Sequence, residues 1–164
     1  MLQIEKLLIA LDRARVDYVV IGGVAAIVQG ASYITADLDI CYRRSPGNYQ
    51  RISDALRPFK PRLRGVPPGL PFKLDPATIK AGLNFTLETD QGDIDLLGEL
   101  SGLGDYDSVK ACAVEAEVYG ENMWVLTLEG LIAAKQAAGR AKDLRLLPEL
   151  RALQALRAKE KDGS

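Results

Sequence analysis

Two aspartates one residue apart, Asp37-Leu38-Asp39, follow a glycine pair, Gly22-Gly23, in the stretch IGGVAAIVQGASYITADLDI. The order reads as strand, tight turn, helix and second strand. Alternation on the second strand puts Asp37 and Asp39 on one face and Leu38 and Ile40 on the other, with the aspartate Cα atoms about 6.5 Å apart. Side chains so placed can converge on a hard cation, and Mg²⁺ is commonly held by one or two carboxylates together with substrate phosphates. A glycine turn that opens a helix offers backbone N–H groups and the positive end of a dipole to a triphosphate. The chemistry these parts suggest is metal-dependent phosphoryl or nucleotidyl transfer.

A third carboxylate comes from Gly92-Asp93-Ile94-Asp95-Leu96-Leu97. If Ile94 and Leu96 share one strand face, Asp93 and Asp95 share the other. Asp95 sits mid-strand and is the candidate third ligand, whereas Asp93 adjoins the turn and reads as a turn-edge residue. Asp37, Asp39 and Asp95 together could hold one or two Mg²⁺ ions, one activating the attacking oxygen and the other steadying the leaving phosphate.

The elements that must position these groups can be read along the chain. Ile4, Leu7, Leu8 and Leu11 recur at helical spacing within 3–15. Val16 to Ile21 is a short β-branched strand, Val24 to Gln29 a short helix closed by Gly30, and Ala36 to Tyr42 the strand of the paired aspartates. Ser45 as cap and Pro46 at the first position start a helix that stops before Pro58. Prolines 58, 61, 67, 68, 71 and 76 then forbid a long helix or a central strand. Leu83 to Glu88 and Asp93 to Leu97 form a hairpin around Thr89-Asp90-Gln91-Gly92. A glycine-rich acidic connection leads to two further strands, Cys112 to Tyr119 and Met123 to Leu126, turning at Gly120-Glu121-Asn122. Thr127 opens a helix, Gly139 breaks it, and a second helix runs from Arg140 to about Lys159. Strands paired as hairpins in the middle and helices at the end give an α+β class. The whole chain, 1–164, is expected to be one domain, with an α/β core over about 16–126 and a helical part over about 127–160.

Composition removes several chemistries. The 164 residues contain no histidine, which rules out serine or cysteine nucleophiles driven by a histidine base and any histidine-containing zinc site. Cys41 and Cys112 stand apart without metal-ligand spacing, and Cys41 reads as a small buried residue. Two such thiols suit a reducing cytoplasm, and no apolar run approaches membrane-spanning length. The N-terminal stretch is an amphipathic helix with acidic residues rather than a signal peptide; the expected location is cytoplasmic. Net charge is −1 overall, but the charges are segregated. Residues 86–121 hold ten acidic side chains against Lys110, whereas 57–73 hold Arg57, Lys60, Arg62, Arg64 and Lys73 with no acid. Residues 135–161 hold eight basic and three acidic side chains. An acidic region able to hold cations thus lies between two basic segments able to meet a polyanion.

The block from Ile21 to Ile40 resembles the signature of the polymerase-β-like nucleotidyltransferase superfamily: an apolar strand, a glycine pair, a short helix and Asp-x-Asp. The likeness is strongest to the minimal bacterial nucleotidyltransferases and the AbiE-type (AbiEii) toxins of type IV toxin–antitoxin systems. Gly30 to Asp39 follows their Gly-x-x-x-x-Thr-x-Asp-x-Asp pattern, with Thr35 in the threonine place and Tyr33 where many relatives carry arginine. Their later Leu-x-x-x-Lys helix and following aspartate are matched by Leu131, Lys135 and Asp143. The resemblance implies a polymerase-β-like fold, with a small mixed or antiparallel sheet flanked by helices. It implies Mg²⁺ as cofactor at Asp37, Asp39 and Asp95, and an NTP substrate bound by Gly22, Gly23, Thr35, Lys135 and Asp143. Lys135 would neutralise charge on the departing pyrophosphate, and Asp143 would either orient Lys135 or Arg140 by ion pairing or serve as an ordinary i, i+3 partner. The acceptor it implies is RNA, such as the 3′ end of tRNA. The alternatives are a partner toxin protein modified by an antitoxin-type enzyme, a small-molecule acceptor, and a non-catalytic nucleotide- or partner-binding member.

Overall fold

The computed structural model describes residues 3–32, 35–67 and 69–162; Tyr33 and Ile34 of the aspartate motif, and Pro68, lie outside the described residues. Helix α1 (Ile4–Arg13) buries Ile4, Leu7, Leu8 and Leu11 as one stripe, and β1 (Tyr18–Ile21) is buried along its whole length. It passes directly into α2 (Gly22–Val28). The separate glycine turn expected before Val24 is therefore absent: Gly22, at φ 63, is itself the first residue of the helix. At the far end Gly30 (φ 107) closes α2 as expected. Its N–H donates to the Ile27 carbonyl at 3.0 Å, and Ala31 N–H reaches the Ala26 carbonyl at 2.9 Å.

Strand β2 (Asp37–Tyr42) precedes α3 (Pro46–Leu56), which has proline in its first turn. Ser45 occupies the cap position, but its hydroxyl makes no capping hydrogen bond, so that expectation holds for position alone. The proline-rich stretch folds into a 3₁₀ turn (Arg57–Phe59), a two-residue strand β3 (Arg62–Leu63) and a short helix α4 (Pro76–Ala81). The expected hairpin is β4 (Asn84–Thr89) with β5 (Gly92–Leu97). The acidic connection is more ordered than its glycines suggested. It contains β6 (Glu99–Leu100), β7 (Gly104–Asp105) and α5 (Tyr106–Lys110), whose first turn is capped by Asp105 Oδ1 accepting from Ser108 N–H at 3.1 Å. Strands β8 (Ala113–Val118) and β9 (Glu121–Leu126) turn at Tyr119-Gly120, one residue earlier than expected. Both turn residues have positive φ, 52 and 81, the twist a two-residue hairpin favours. Thr127 Oγ1 accepts from Gly130 N–H at 3.1 Å to open α6 (Leu128–Ala138), and Gly139 at φ 66 ends it. Helix α7 (Ala141–Asp162) then runs on through Pro148.

Seven strands form one mixed sheet in the order β3-β4-β5-β2-β1-β9-β8. The pairs β2·β5 and β1·β9 are parallel, and the others antiparallel. Registers place Leu63, Phe85, Leu87, Ile94, Leu96, Leu38 and Ile40 on one face. Leu87, Ile94, Leu96, Leu38 and Ile40 join α1 and α3 in a single buried cluster, each buried aliphatic contributing about 1.5–3 kcal/mol. The same pleat gives the other face Asp37 beside Asp93 and Asp39 beside Asp95. Like charges directly opposite one another destabilise a sheet. Four carboxylates on one parallel pair therefore need a cation or a proton among them.

Helix α7 is fastened to the start of the fold. Arg157 Nη1 donates to Gln29 Oε1 at 2.8 Å and Nη2 to the Gln29 carbonyl at 2.7 Å. Gln29 Nε2 in turn donates to the Leu126 carbonyl at 3.0 Å. No described helix is long and apolar enough to cross a membrane.

Candidate active site

The end of β1, the parallel pair β2·β5 and the two last helices enclose a cleft of about 630 Å³. Asp37 and Asp39 reach its wall from β2 and Asp95 from β5, because odd-numbered residues of these paired strands share the polar face. One oxygen from each of the three carboxylates lies within 4.8 Å of the others. Three anionic oxygens this close, with no nitrogen or sulfur donor among them, suit a hard divalent cation.

Asp39 is the innermost. Its Oδ1 is buried and has no hydrogen-bond partner. Burial, then the charges of Asp95 and Asp37, push its carboxyl up to about 7, partly offset by Lys135. A buried carboxylate oxygen without a donor is costly, and a metal ion at the three carboxylates would supply the missing partner. The residues present therefore fit such an ion. Gly22 explains how Asp39 fits so tightly: a Cβ at position 22 would overlap Asp39 Oδ2. Besides the room for a phosphate expected of this glycine, its missing Cβ makes room for a carboxylate packed against it.

The remaining residues read from the sequence line the same cleft: Gly23, Thr35, Lys135 and Asp143. Thr35 is turned toward its own strand. Its hydroxyl donates to the Asp37 carbonyl at 2.9 Å and lies 3.4 Å from Asp37 N–H, so it shapes the entry to β2. Lys135 Nζ is 3.5 Å from Asp143 Oδ1, and Arg140 Nε is 2.6 Å from Asp143 Oδ2. Asp143 thus holds both cations at once. Burial raises its carboxyl, but the Arg140 hydrogen bond and the charges of Arg140 and Lys135 outweigh this and leave it below the ordinary value. Arg140 and Lys142 also line the cleft, giving its helical wall three cations opposite the carboxylates of the sheet. Asp143→Asn is expected to lower stability by about 2 kcal/mol, the scale of a hydrogen bond to a charged group, read as the shift of a urea midpoint at constant slope. An unchanged midpoint would mean that the pairs with Lys135 and Arg140 add nothing to the fold.

Arg64 is the residue whose place the sequence reading missed, having counted it only as part of a basic stretch. Its backbone N–H donates to the Thr86 carbonyl at 3.0 Å, carrying the edge pairing one residue beyond β3. Its guanidinium then reaches over the sheet: Nη2 donates to Asp95 Oδ1 at 2.9 Å, Nε lies 3.3 Å from Asp93 Oδ2, and Nη1 is 3.9 Å from Asp37 Oδ2. Asp93, expected as a turn-edge residue, is therefore drawn into the same cluster. The available signal was spacing. Arg62-Leu63-Arg64 repeats the charged-apolar-charged alternation of Asp37-Leu38-Asp39 with the opposite sign.

The mixed sheet, with its acidic parallel pair facing a helical wall, is a fold shared with a protein of known structure. The chain is similar in structure to a candidate nucleotidyltransferase from Thermotoga maritima known from a crystal structure at 1.87 Å resolution. The match covers 99% of this chain and 96% of that one, with a TM-score of 0.53 and 18% sequence identity. No protein-family model matches the sequence, and no curated protein matches it.

Proposed function

We propose that the chain is an NTP-dependent nucleotidyltransferase of the AbiE type, with RNA, in particular the 3′ end of tRNA, as acceptor. The observation that carries this reading is the convergence of Asp37, Asp39 and Asp95 within 4.8 Å in a cleft whose other wall carries Lys135, Arg140 and Lys142. Acidic oxygens on one side and cations on the other suit a polyphosphate bound through a divalent ion. Asp37, Asp39 and Asp95 would hold Mg²⁺, which when bound would screen the phosphate charge and sharpen the attacking oxygen. Gly22 and Gly23 keep side chains away from the β1–α2 junction, where the triphosphate would lie. Asp95 would accept the proton of the acceptor hydroxyl as its oxygen bonds to the α-phosphorus. The bond from that phosphorus to the bridging oxygen breaks, and pyrophosphate leaves beside Lys135, whose ammonium offsets the charge it gains. Exposed basic side chains of α7, Lys142, Arg145 and Arg151 among them, would meet the acceptor's phosphates.

The test is incubation with each α-labelled NTP, Mg²⁺ and total cellular RNA, beside an Asp39→Ala control. Label on a small RNA, lost in the control, is the expected result. Label found instead on a co-expressed partner protein would replace RNA transfer with the antitoxin-type reaction. Absence of transfer to any acceptor under conditions where the protein is folded would overturn the enzymatic reading.

A further inference from the structure

We infer that Arg64 is an internal counter-ion of the carboxylate cluster, competing with the divalent cation and setting how tightly that cation is held. The inference rests on the metal-dependent reading of Asp37, Asp39 and Asp95 given above. Its basis is geometric. One guanidinium lies within 4.0 Å of carboxylate oxygens of Asp95, Asp93 and Asp37, so two of the three candidate ligands already share a positive charge. The Arg64 side chain is only 26% exposed, and Nη2 is also tied to the Leu87 carbonyl at 2.6 Å. A cation arriving at the cluster must therefore share Asp95 and Asp37 with Arg64 or displace it.

The surroundings allow displacement without unfolding. The Arg64 backbone is pinned to Thr86, so rotation about the side-chain bonds is enough to withdraw the guanidinium while keeping it nearby. Beyond it, residues 65–67 and 69–75 form no helix or strand. Beyond their own chain neighbours, Gly65 and Gly69 meet nothing within 4 Å of the place a Cβ would take. Charge bookkeeping gives the reason for such a device: four carboxylates face one another across β2 and β5, and Arg64 keeps them paired whenever no metal ion does.

The test compares the 164-residue chain with its Arg64→Gln and Arg64→Lys variants, using Mn²⁺ as probe and the free-ion electron paramagnetic resonance signal as readout. Asp39→Asn identifies the binding that belongs to the cluster. Arg64→Gln is expected to bind Mn²⁺ at least about tenfold tighter than wild type, within the usual range of coupling between two sites, and Arg64→Lys to fall between them. In EDTA Arg64→Gln should melt below wild type, and saturating Mg²⁺ should close that gap. Equal or weaker Mn²⁺ binding by both variants, or a melting deficit that Mg²⁺ leaves unchanged, would make Arg64 a structural support and overturn the inference. Should Arg64→Gln not fold, the lysine variant decides alone: tighter binding than wild type supports competition, and equal binding overturns it. Mn²⁺ binding insensitive to Asp39→Asn in every protein would instead remove the metal site, and with it the proposed function.

Discussion

Asparagine at position 39 is expected to abolish nucleotidyl transfer while making the protein more stable in EDTA. Both effects have one cause. The Asp39 carboxyl is held at about 7 by burial and by Asp95 and Asp37, against an ordinary value near 4. The folded protein therefore keeps a proton that the unfolded chain releases between those values, so this group's contribution falls as pH rises from about 4 to 7, and its penalty is complete above that. Asparagine removes the penalty. The gain at pH 8 is expected to be about 2 kcal/mol, roughly half of what three pH units are worth, because the new amide must find its own partners. Transfer should fall by at least about 10³-fold, the scale of losing one group from an electrostatic site. Calorimetry in EDTA and the labelled-nucleotide assay check the two halves; an Asp39→Asn protein that melts below wild type in EDTA would show that the carboxylate is stabilised in the fold rather than tolerated. The same titration sets the pH response of wild type. Stabilisation by Mg²⁺ should grow from pH 5.5 to 8, since below about 7 a proton contends with the cation for Asp39. A Mg²⁺-induced melting shift that is flat across this range would contradict the raised value.

Gly22→Ala should be almost as damaging, for a steric reason. Position 22 has φ 63, and its missing Cβ is what leaves room for Asp39 Oδ2. Alanine brings a conformational cost of about 1–2 kcal/mol and also pushes the innermost carboxylate out of place. A displacement near 1 Å can cost about 10²-fold in rate, so transfer is expected to fall at least that far. Gly120→Ala is the matched control. Gly120 has φ 81 and nothing within 4 Å of the added carbon, so it carries the conformational cost alone and should leave transfer unchanged. Equal losses of activity in the two variants would show that global stability, not the packing of Gly22 on Asp39, governs the result.

The parts of this molecule that could be read from its sequence are those governed by local periodicity. Period-two alternation put Asp37 with Asp39 and Asp93 with Asp95, and β2 and β5 carry them that way. Thr127 and Gly139 marked the ends of α6 because a hydroxyl cap and a left-handed glycine act within a few residues. The α+β class followed from the order of such elements, and the mixed sheet with flanking helices agrees with it. What depended on distant pairing was not visible. Nothing within β2 or β5 announces that they run parallel in the register that sets Asp39 beside Asp95. Strand β3 has two residues and exists only because β4 is there to receive it, so Arg64 could be counted but not placed. In the sequence Asp93 looks like a turn residue for the same reason, since the partner that engages it, Arg64, comes from that unseen edge. Helix α5 was hidden by the glycines before it, although Asp105 and Ser108 carried the capping signal.

The attachment of α7 to Gln29, across 128 residues, has a consequence for how the protein comes into being. The chain leaves the ribosome with its acids first: Asp37, Asp39, Asp93 and Asp95 can pair in the sheet while α6 and α7 are still to be made. The cations of the opposite wall, Lys135, Arg140 and Lys142, arrive with those late helices. Arg64 emerges between β2 and β5, so during that interval it is the charge at hand to keep the growing sheet from repelling itself. The order of synthesis thus delays completion of the cleft until its last wall has been translated, and an early nascent chain carries the carboxylates without the cations that face them.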